Sequence, residues 1–204
     1  MTIDRAHGHD GIKIGASAPL HDSGHWHCDW TVERWDQEQT AWAMKRLGYQ
    51  PSAADFGRLR IASYETTLVK GNLLTTAGLG RIATLVNAGT GNLISSTTAR
   101  VGVGDGAGSA AVGDTDLSAA AGSTHRWFQT CTVTTPSNVW TFAATFGTAD
   151  GNFAWNEFGI DIGTATVTSG NTVNAVLLNH KTSIAQGTKA SGQTWNATAT
   201  ITIS

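Results

Sequence analysis

The pattern of apolar and polar positions changes along the chain, and the last part alternates strictly. In the segment WNATATITIS every second residue is apolar, namely Trp195, Ala197, Ala199, Ile201 and Ile203. This period of two predicts a half-buried β-strand, because successive side chains of a strand point to opposite faces. ARVGVG, RWFQTCTVT, TFAATFGT, EFGIDIG and NAVLLNHKTS have the same character, with turn residues between them. Residues 93–204 are therefore predicted to form an antiparallel, jelly-roll-like β-sandwich of about six strands.

The preceding residues 31–92 have the three- and four-residue spacing of amphipathic helices. A first helix is predicted to begin at Thr31 as N-cap and to end before Gly48, with Pro51 preventing continuation. Its predicted face consists of Val32, Trp35, Gln39, Trp42 and Arg46. The segment predicts a helical region between the chain's first residues and its β domain.

Two further helices are predicted in the same region. SAADFGRLR favours a short helix capped by Ser52, and LLTTAGLGRIATLVNAG favours a longer helix that ends at Gly89. The inward face of the longer helix is predicted to consist of Leu74, Ala77, Gly78, Ile82 and Leu85. Residues 1–30 show no sustained period, so we expect an extended arm there. The predicted fold class is α+β, mainly β, with the arm, the helical region and the sandwich in that order.

Composition narrows the function classes. The chain of 204 residues has 13 Lys and Arg against 15 Asp and Glu, and charged residues make up 14%. A net charge of −2 gives no basic field for a polyanion, so we expect no nucleic-acid partner. Neither a signal peptide nor a long apolar run is present, so we expect no membrane partner and a protein made in the cytoplasm with two reduced cysteines.

The arm contains the densest chemistry, in the segment HDSGHWHCDW. Its histidines and its cysteine could bind zinc, but their spacing matches no familiar ligand pattern, and we predict no metal and no cofactor. The alternatives are an arm packed on its own domain and an arm packed on a partner chain. We favour the partner, with these predicted contact residues: His25, Trp26, His27, Trp30, Trp35 and Trp42.

Catalytic motifs are absent from the sequence, which has no nucleophile elbow and no metalloprotease helix motif. The glycine-rich segment VGVGDGAGSAAVGDTD lacks the spacing of a phosphate-binding loop and predicts a flexible turn. Glu157, between aromatic residues, is the most suggestive carboxylate: it belongs to a carbohydrate site or, the favoured alternative, caps a turn. We therefore predict that the protein is not an enzyme, and a metal-dependent hydrolase that uses the histidines is the weakest hypothesis.

Several segments resemble a family of virion structural proteins of tailed bacteriophages, as found in phages of actinobacteria. They include KGNLLTTAGLGRIATLV, ARVGVGDGAGSAAVGDTDL, TFAATFGTADGNFAWNEFGI and LLNHKTSIAQGTKASGQTWNATATITIS. HDGIKIG and DWTVERWDQEQTAWAMKRLG also look like leading segments of such proteins, so the resemblance covers most of residues 10–204.

The resemblance implies a non-enzymatic component of the virion, located on the capsid surface and made in the host cytoplasm. It favours a capsid decoration or minor capsid protein that binds and stabilises the head shell. The alternative is a tail or head fibre with a receptor-binding β domain, but the repeats of a fibre shaft are absent. The expected partners are the major capsid protein and the protein itself, as a homo-oligomer, most simply a trimer or dimer.

Overall fold

The computed structural model describes residues 25–163 and 175–204, together with the backbone of two short strands, Val167–Thr168 and Asn171–Thr172. Its strands, numbered in chain order, are β1 Trp26–Trp35, β2 Glu65–Lys70, β3 Leu73–Leu74, β4 Ala99–Gly104, β5 Arg126–Thr130, β6 Thr132–Thr134, β7 Val139–Phe146, β8 Glu157–Ile162, β9 Val167–Thr168, β10 Asn171–Thr172, β11 Val176–Thr182 and β12 Thr194–Ile203. Its helices are α1 Gln37–Leu47, α2 Ala53–Arg58 and α3 Thr76–Ala88.

Ten of these strands form two five-stranded antiparallel sheets. The first sheet has the order β2–β1–β12–β7–β6, and the second has the order β3–β11–β8–β4–β5. The predicted fold class, α+β and mainly β with an antiparallel sandwich, is thereby confirmed. All six segments predicted as strands from their alternation contain strands, and RWFQTCTVT contains two, because the chain passes from the second sheet to the first at Cys131.

The core lies between the two sheets and is built from their inward-facing side chains. In β12 the predicted alternation is observed from Ala197 to Thr202, and Ala197, Ala199 and Ile201 are fully buried. The ends of the strand differ from the prediction, because Asn196 is buried and Ile203 is exposed. Trp30 of the first sheet stacks on Phe158 of the second, with ring centroids 4.7 Å apart. Such aromatic contacts across the interior bury large apolar areas, which is the main source of stability for a sandwich of this kind.

The predicted helix from Thr31 is wrong over its first turns, because residues Trp26–Trp35 form strand β1. The residues Cys28, Trp30 and Val32 are buried and alternate with more exposed neighbours, so a period of two overlaps the helical spacing there. β1 pairs with β12 on one side and with β2 on the other. The two ladders satisfy backbone groups on both sides of the strand, and this decides the conformation.

The predicted division of the chain does not follow the sheets. The boundary between the arm at 1–30 and the helical region at 31–92 falls inside β1. The helical region also contributes β2 and β3, which complete the two sheets formed with strands of residues 93–204. Residues 1–24 of the predicted arm lie outside the described residues.

The helix boundaries predicted at Gly48, Ser52 and Gly89 are observed. α1 begins after Asp36, which caps it, and ends at Gly48 with a φ of 77°. Ser52 caps α2 as predicted, and α3 runs from its N-cap Thr75 to Gly89, whose φ is 61°. These glycines adopt the left-handed conformation that terminates a helix at little cost. In the described part of the chain, no helix has the length and apolar character needed to cross a membrane.

Candidate functional site

Three of the tryptophans predicted to bind a partner lie in β1. Trp30 is fully buried against Phe158, and Trp35 is buried in a small core beneath α1 and α2. Trp26 is half-buried, and its ring packs edge-on against Trp140 at 6.1 Å. The predicted partner contact is therefore wrong for Trp30 and Trp35, because both side chains are buried within their own chain. Trp30 packs on Phe158 of the β domain, whereas Trp35 stacks on Phe56 of α2.

The other three predicted contact residues remain accessible. His25 is exposed, and the His27 side chain is exposed with Nε2 3.1 Å from a carboxylate oxygen of Asp29. Trp42 is 53% exposed on α1, beside the basic side chain of Lys45. Among the described residues, no group of three or more His, Cys, Asp or Glu side chains is arranged to hold a metal ion. Partner binding by these residues stays a prediction.

In the described part of the chain, α3 presents several exposed apolar side chains. Only Gly78 of its thirteen residues is buried. Leu79 is 55% exposed, Val86 is 84% exposed, and Leu93, just after the helix, is 62% exposed. Apolar side chains clustered in this way are typical of surfaces that bind another molecule. We call these three residues the α3 face.

A groove of about 350 Å³ lies beside the α3 face. It is lined by Ile82, Leu85, Val86, Ile94, Thr135, Ser137 and Trp140. None of these lining residues is charged, and Val86 belongs both to the groove and to the α3 face. The groove therefore continues the apolar surface towards β7, where the ring of Trp140 packs edge-on against Trp26.

Another side of α3 packs tightly on β11. A Cβ atom on Gly78 would come within 2.3 Å of the backbone oxygen of Leu178, so only glycine fits there. The capping residue Thr75 accepts from the N–H of Gly78 and donates its hydroxyl to the carbonyl of Leu177 at 2.5 Å. Gly78 was predicted to lie on the inward face of α3, and it does so. Leu79 and Val86 lie off that face, and this was the available sequence signal for an exposed apolar surface.

A buried charged cluster anchors the glycine-rich loop near α3. The His180 ring on β11 lies between two carboxylates, with Nε2 2.8 Å from Glu157 and Nδ1 2.6 Å from Asp114. Glu157 is fully buried and also accepts the backbone N–H groups of Ser118 at 2.8 Å and Ala119 at 2.7 Å. The turn-capping alternative for Glu157 is therefore confirmed. The sequence gives no sign that His180 and Asp114 lie beside Glu157, because only the fold brings the three residues together.

Electrostatics favour the fully charged state of this cluster. Burial disfavours the charged ring of His180, but hydrogen bonds to Glu157 and Asp114 outweigh burial and raise the pKa of His180. Burial likewise opposes ionisation of Glu157, but the hydrogen bonds from His180, Ser118 and Ala119 lower its pKa below the ordinary value. With a carboxylate at each ring nitrogen, both nitrogens must carry a proton to donate. His180 is therefore an imidazolium at neutral pH.

A second buried cation holds the loop between β7 and β8. Lys189 is 1% exposed, and its ammonium donates to the carbonyl of Gly147 at 2.6 Å and to Asn152 Oδ1 at 2.7 Å. Burial lowers the pKa of Lys189 to about 8, while the nearby carboxylate of Asp150 acts in the opposite direction. This lysine ties the start of its loop to the middle of it, because a buried ammonium requires hydrogen-bond acceptors.

Comparison of the chain with family models, with curated proteins and with solved structures gives no match. The site must therefore be interpreted from its own geometry. The charged groups of both buried clusters are directed into the molecule and fasten loops. The α3 face and its groove are directed outwards, and their chemistry suits the burial of apolar surface against another molecule.

Proposed function

We propose that this protein is a non-enzymatic structural component of a bacteriophage virion, and that it acts as a capsid decoration or minor capsid protein. It binds the head shell and stabilises it through contacts with the major capsid protein. The observation that carries the proposal is the α3 face: in the described part of the chain, Leu79, Val86 and Leu93 are more than half exposed beside a β-sandwich. A surface of this kind has a physical reason to bind, because water contact with apolar side chains is unfavourable.

The composition supports the same role. Only 14% of the residues are charged, well below the roughly 25% usual for soluble domains. Depletion of charge is a feature of the central parts of protein interfaces, where an unpaired charge would lose its hydration. A subunit in permanent contact with its neighbours loses less hydration energy on binding when its surface has few charges.

The segments that resemble virion proteins give the proposal its specific form. TFAATFGTADGNFAWNEFGI spans most of β7, the loop held by Lys189 and most of β8. LLNHKTSIAQGTKASGQTWNATATITIS spans most of β11 and all of β12. A third segment, KGNLLTTAGLGRIATLV, spans β3 and most of α3, so the resemblance includes the sandwich core and the helix that carries the α3 face. We take the core as the common scaffold and the exposed helices as the parts that contact other virion proteins.

The number of copies in purified particles tests the proposal. Particles are isolated by density gradient, and the protein is quantified by mass spectrometry against isotope-labelled peptides and the major capsid protein. A decoration role predicts copies on the order of hundreds, because each symmetry-related site of the shell repeats the same contact. Only a few copies at the tail, or complete absence from particles, would overturn the decoration role.

A receptor-binding domain of a tail or head fibre is the second candidate, and one observation favours it. Three large aromatic side chains are exposed outside the sandwich core: Trp42 at 53%, Tyr49 at 50% and Tyr64 at 49%. Exposed aromatic rings provide flat apolar faces with polar edges, which suit binding to sugars on a cell surface. A fibre role predicts that purified protein binds host cells and that Trp42→Ala abolishes this binding while the fold is retained.

A further inference from the structure

We infer that the C-terminal half of α1 binds a carboxylated sugar, with the sugar ring on Trp42 and the carboxylate on Lys45 and Arg46. This site deepens the receptor-binding candidate, on which the inference rests in giving Trp42 to a sugar. The groove at Trp42 and the groove at Trp140 share no lining residue. Sugar binding on α1 and capsid binding through the α3 face can therefore hold or fail separately.

The site is a groove of about 380 Å³ against α1, lined by Trp42, Lys45 and Arg46. The two cations follow the tryptophan by three and four residues, so all three side chains share one face of the helix. Trp42 is 53% exposed, and both cations are exposed beside it. Residues at these steps have Cβ atoms about 5–6 Å apart, so a flat ring and two positive charges meet within reach of one small ligand.

The three side chains are available to a ligand. Within residues 25–163 and 175–204, no ring or cation packs on Trp42, and neither Lys45 nor Arg46 forms an ion pair. Arg58 differs from them, because its guanidinium is held by Asp55 at 2.5 Å. The buried residues Thr40 and Ala43 anchor another side of α1, so the helix presents the groove in a fixed orientation.

The charge of this part of the chain favours an anionic ligand. Residues 41–62 contain four of the thirteen Lys and Arg residues and one of the fifteen Asp and Glu residues, although the whole chain has a net charge of −2. The carbonyl end of a helix is equivalent to about half a negative charge. Lys45 and Arg46, both in the last turn of α1, exceed this charge and leave the groove positive.

The combination of a ring with cations favours a carboxylated sugar over other anions. The face of the indole suits the C–H groups of a sugar ring, and its N–H can donate to a hydroxyl. A uronic acid carries a ring and a carboxylate in one unit, which matches the spacing of Trp42 from the two cations. A long polyanion such as nucleic acid would meet the net negative remainder of the chain. An acidic peptide is recognised through a strand edge or apolar pockets, and the lining of this groove provides neither.

The segments outside the described ranges do not match this chemistry. Residues 164–174 contain no charged residue. Residues 1–24 contain three carboxylates, Asp4, Asp10 and Asp22, each at least six residues from the next, together with Arg5 and Lys13. Neither segment offers a ring with a carboxylate attached, so charge and shape together favour a ligand from outside the chain.

Glu38 gives the ligand a direction. It is exposed and precedes Trp42 by one helical turn, whereas Lys45 and Arg46 follow Trp42 by one turn. A carboxylate is repelled by Glu38 and attracted by the two cations. The carboxylate of the bound sugar therefore lies towards the C-terminal end of α1, and the ring lies on Trp42.

An NMR titration of the full, ¹⁵N-labelled chain with tetragalacturonate tests the site. The methyl ester of the same oligosaccharide is the matched ligand, because it keeps the rings and removes the charge. We expect the acid to shift the Trp42 indole N–H signal with a Kd of about 0.1–1 mM, and the ester to bind at least about tenfold more weakly. Binding of the acid should also weaken severalfold in high salt, because the cations are exposed.

Variants locate the binding energy. Trp42→Ala and Arg46→Gln should each weaken binding of the acid by about tenfold with unchanged circular dichroism. Glu38→Gln should strengthen it, because a repelling charge is removed. The matched controls are Tyr64→Ala, an aromatic ring that is 49% exposed, and Lys70→Gln, an exposed cation on β2. Both controls should bind as the wild type does.

Four results would overturn the inference. Equal affinity for the acid and the ester would remove the role of charge, although a receptor-binding role through neutral sugars would survive. Equally tight binding of oligothymidylate or polyglutamate, lost in the same variants, would replace the sugar by a nucleic acid or a peptide. No shift of the Trp42 signal at about 10 mM acid would refute the site itself. Loss of binding in Tyr64→Ala or Lys70→Gln would move it to another surface.

Discussion

Replacement of Glu157 by glutamine should expose how strongly the buried cluster holds the glycine-rich loop. The carboxylate accepts from three donors at once: the His180 ring and the N–H groups of Ser118 and Ala119. Glutamine has nearly the same shape but one acceptor oxygen and an NH₂ group that donates. At least one buried donor then faces another donor, and His180 loses one of its two negative partners.

The expected cost is large because the side chains of Glu157 and His180 are both fully buried. Removal of one partner from a buried ion pair costs about 3–5 kcal/mol when the remaining charge is left uncompensated. Asp114 still faces His180 in the variant, so we expect a cost near the lower end of this range. A domain of ordinary stability unfolds with about 5–15 kcal/mol, so Glu157→Gln should remove a large part of the total. The matched control is Glu38→Gln on the exposed side of α1, where the same chemical change should stay within about 0.5 kcal/mol.

The pH dependence of this loss has a defined sign. The pKa of His180 is raised above its ordinary value of 6.5, so its stabilisation is complete below that pH and is lost as pH rises through the raised value. The pKa values of Glu157 and Asp114 are lowered from 4.5 and 3.8, so their stabilisation is complete above those values and is lost as pH falls. The cluster therefore contributes most between pH 4.5 and 6.5.

The measurement is the difference in unfolding free energy between wild type and Glu157→Gln, from urea denaturation at a series of pH values. The difference is needed because burial, with Asp116 nearby, raises the pKa of Asp161 to about 8, which makes stability fall with pH for an unrelated reason. Hydrogen exchange should also show faster exchange of the Ser118 and Ala119 amides in the variant. A difference below about 1 kcal/mol at pH 6, or one that does not shrink at higher pH, would refute the reasoning.

Three other outcomes are expected. Gly78→Ala should lower the melting temperature and weaken α3, because the new Cβ would lie 2.3 Å from a backbone oxygen. Gly80→Ala has open space around its new Cβ and should stabilise the protein by about 0.5–1 kcal/mol. Equal effects of the two substitutions in thermal melts would contradict this. Cys28 and Cys131, whose pKa values are raised to about 12 by burial, should resist a thiol reagent until the protein unfolds, and fast labelling of native protein would disagree. The pKa of Lys189 is lowered from 10.5 to about 8, so the unfolding free energy of the wild type should rise between these two pH values. Lys189→Met should abolish this rise in denaturation experiments. An unchanged rise would count against the buried ammonium.

The sequence by itself determined most of the β half and the ends of the helices. β12 could be predicted from the alternation of Trp195 to Ile203, because a strand with one buried face must alternate. Gly48, Ser52 and Gly89 marked helix boundaries correctly, because capping depends on a residue's own backbone preference and its near neighbours. These are local properties, and a local pattern is sufficient to identify them.

Only the tertiary structure decided whether Trp26–Trp35 forms a helix or a strand. Val32 and Trp35 fit a helical face, while Cys28, Trp30 and Val32 also fit a strand, so two periods overlapped in one segment. Pairing with β12 and β2 settled the choice, and those strands lie about 165 and 40 residues away along the chain. For the same reason two of the predicted contact tryptophans became core residues.

The candidate site depended on the fold still more. Glu157 stood out in the sequence, but its partners His180 and Asp114 come from a separate strand and from a loop. Leu79 and Val86 were visible as apolar residues off the inward face of their helix, but whether another element covered them could not be known from spacing. Burial is a property of what packs against a residue, and packing partners distant in sequence are fixed only when the whole chain has folded.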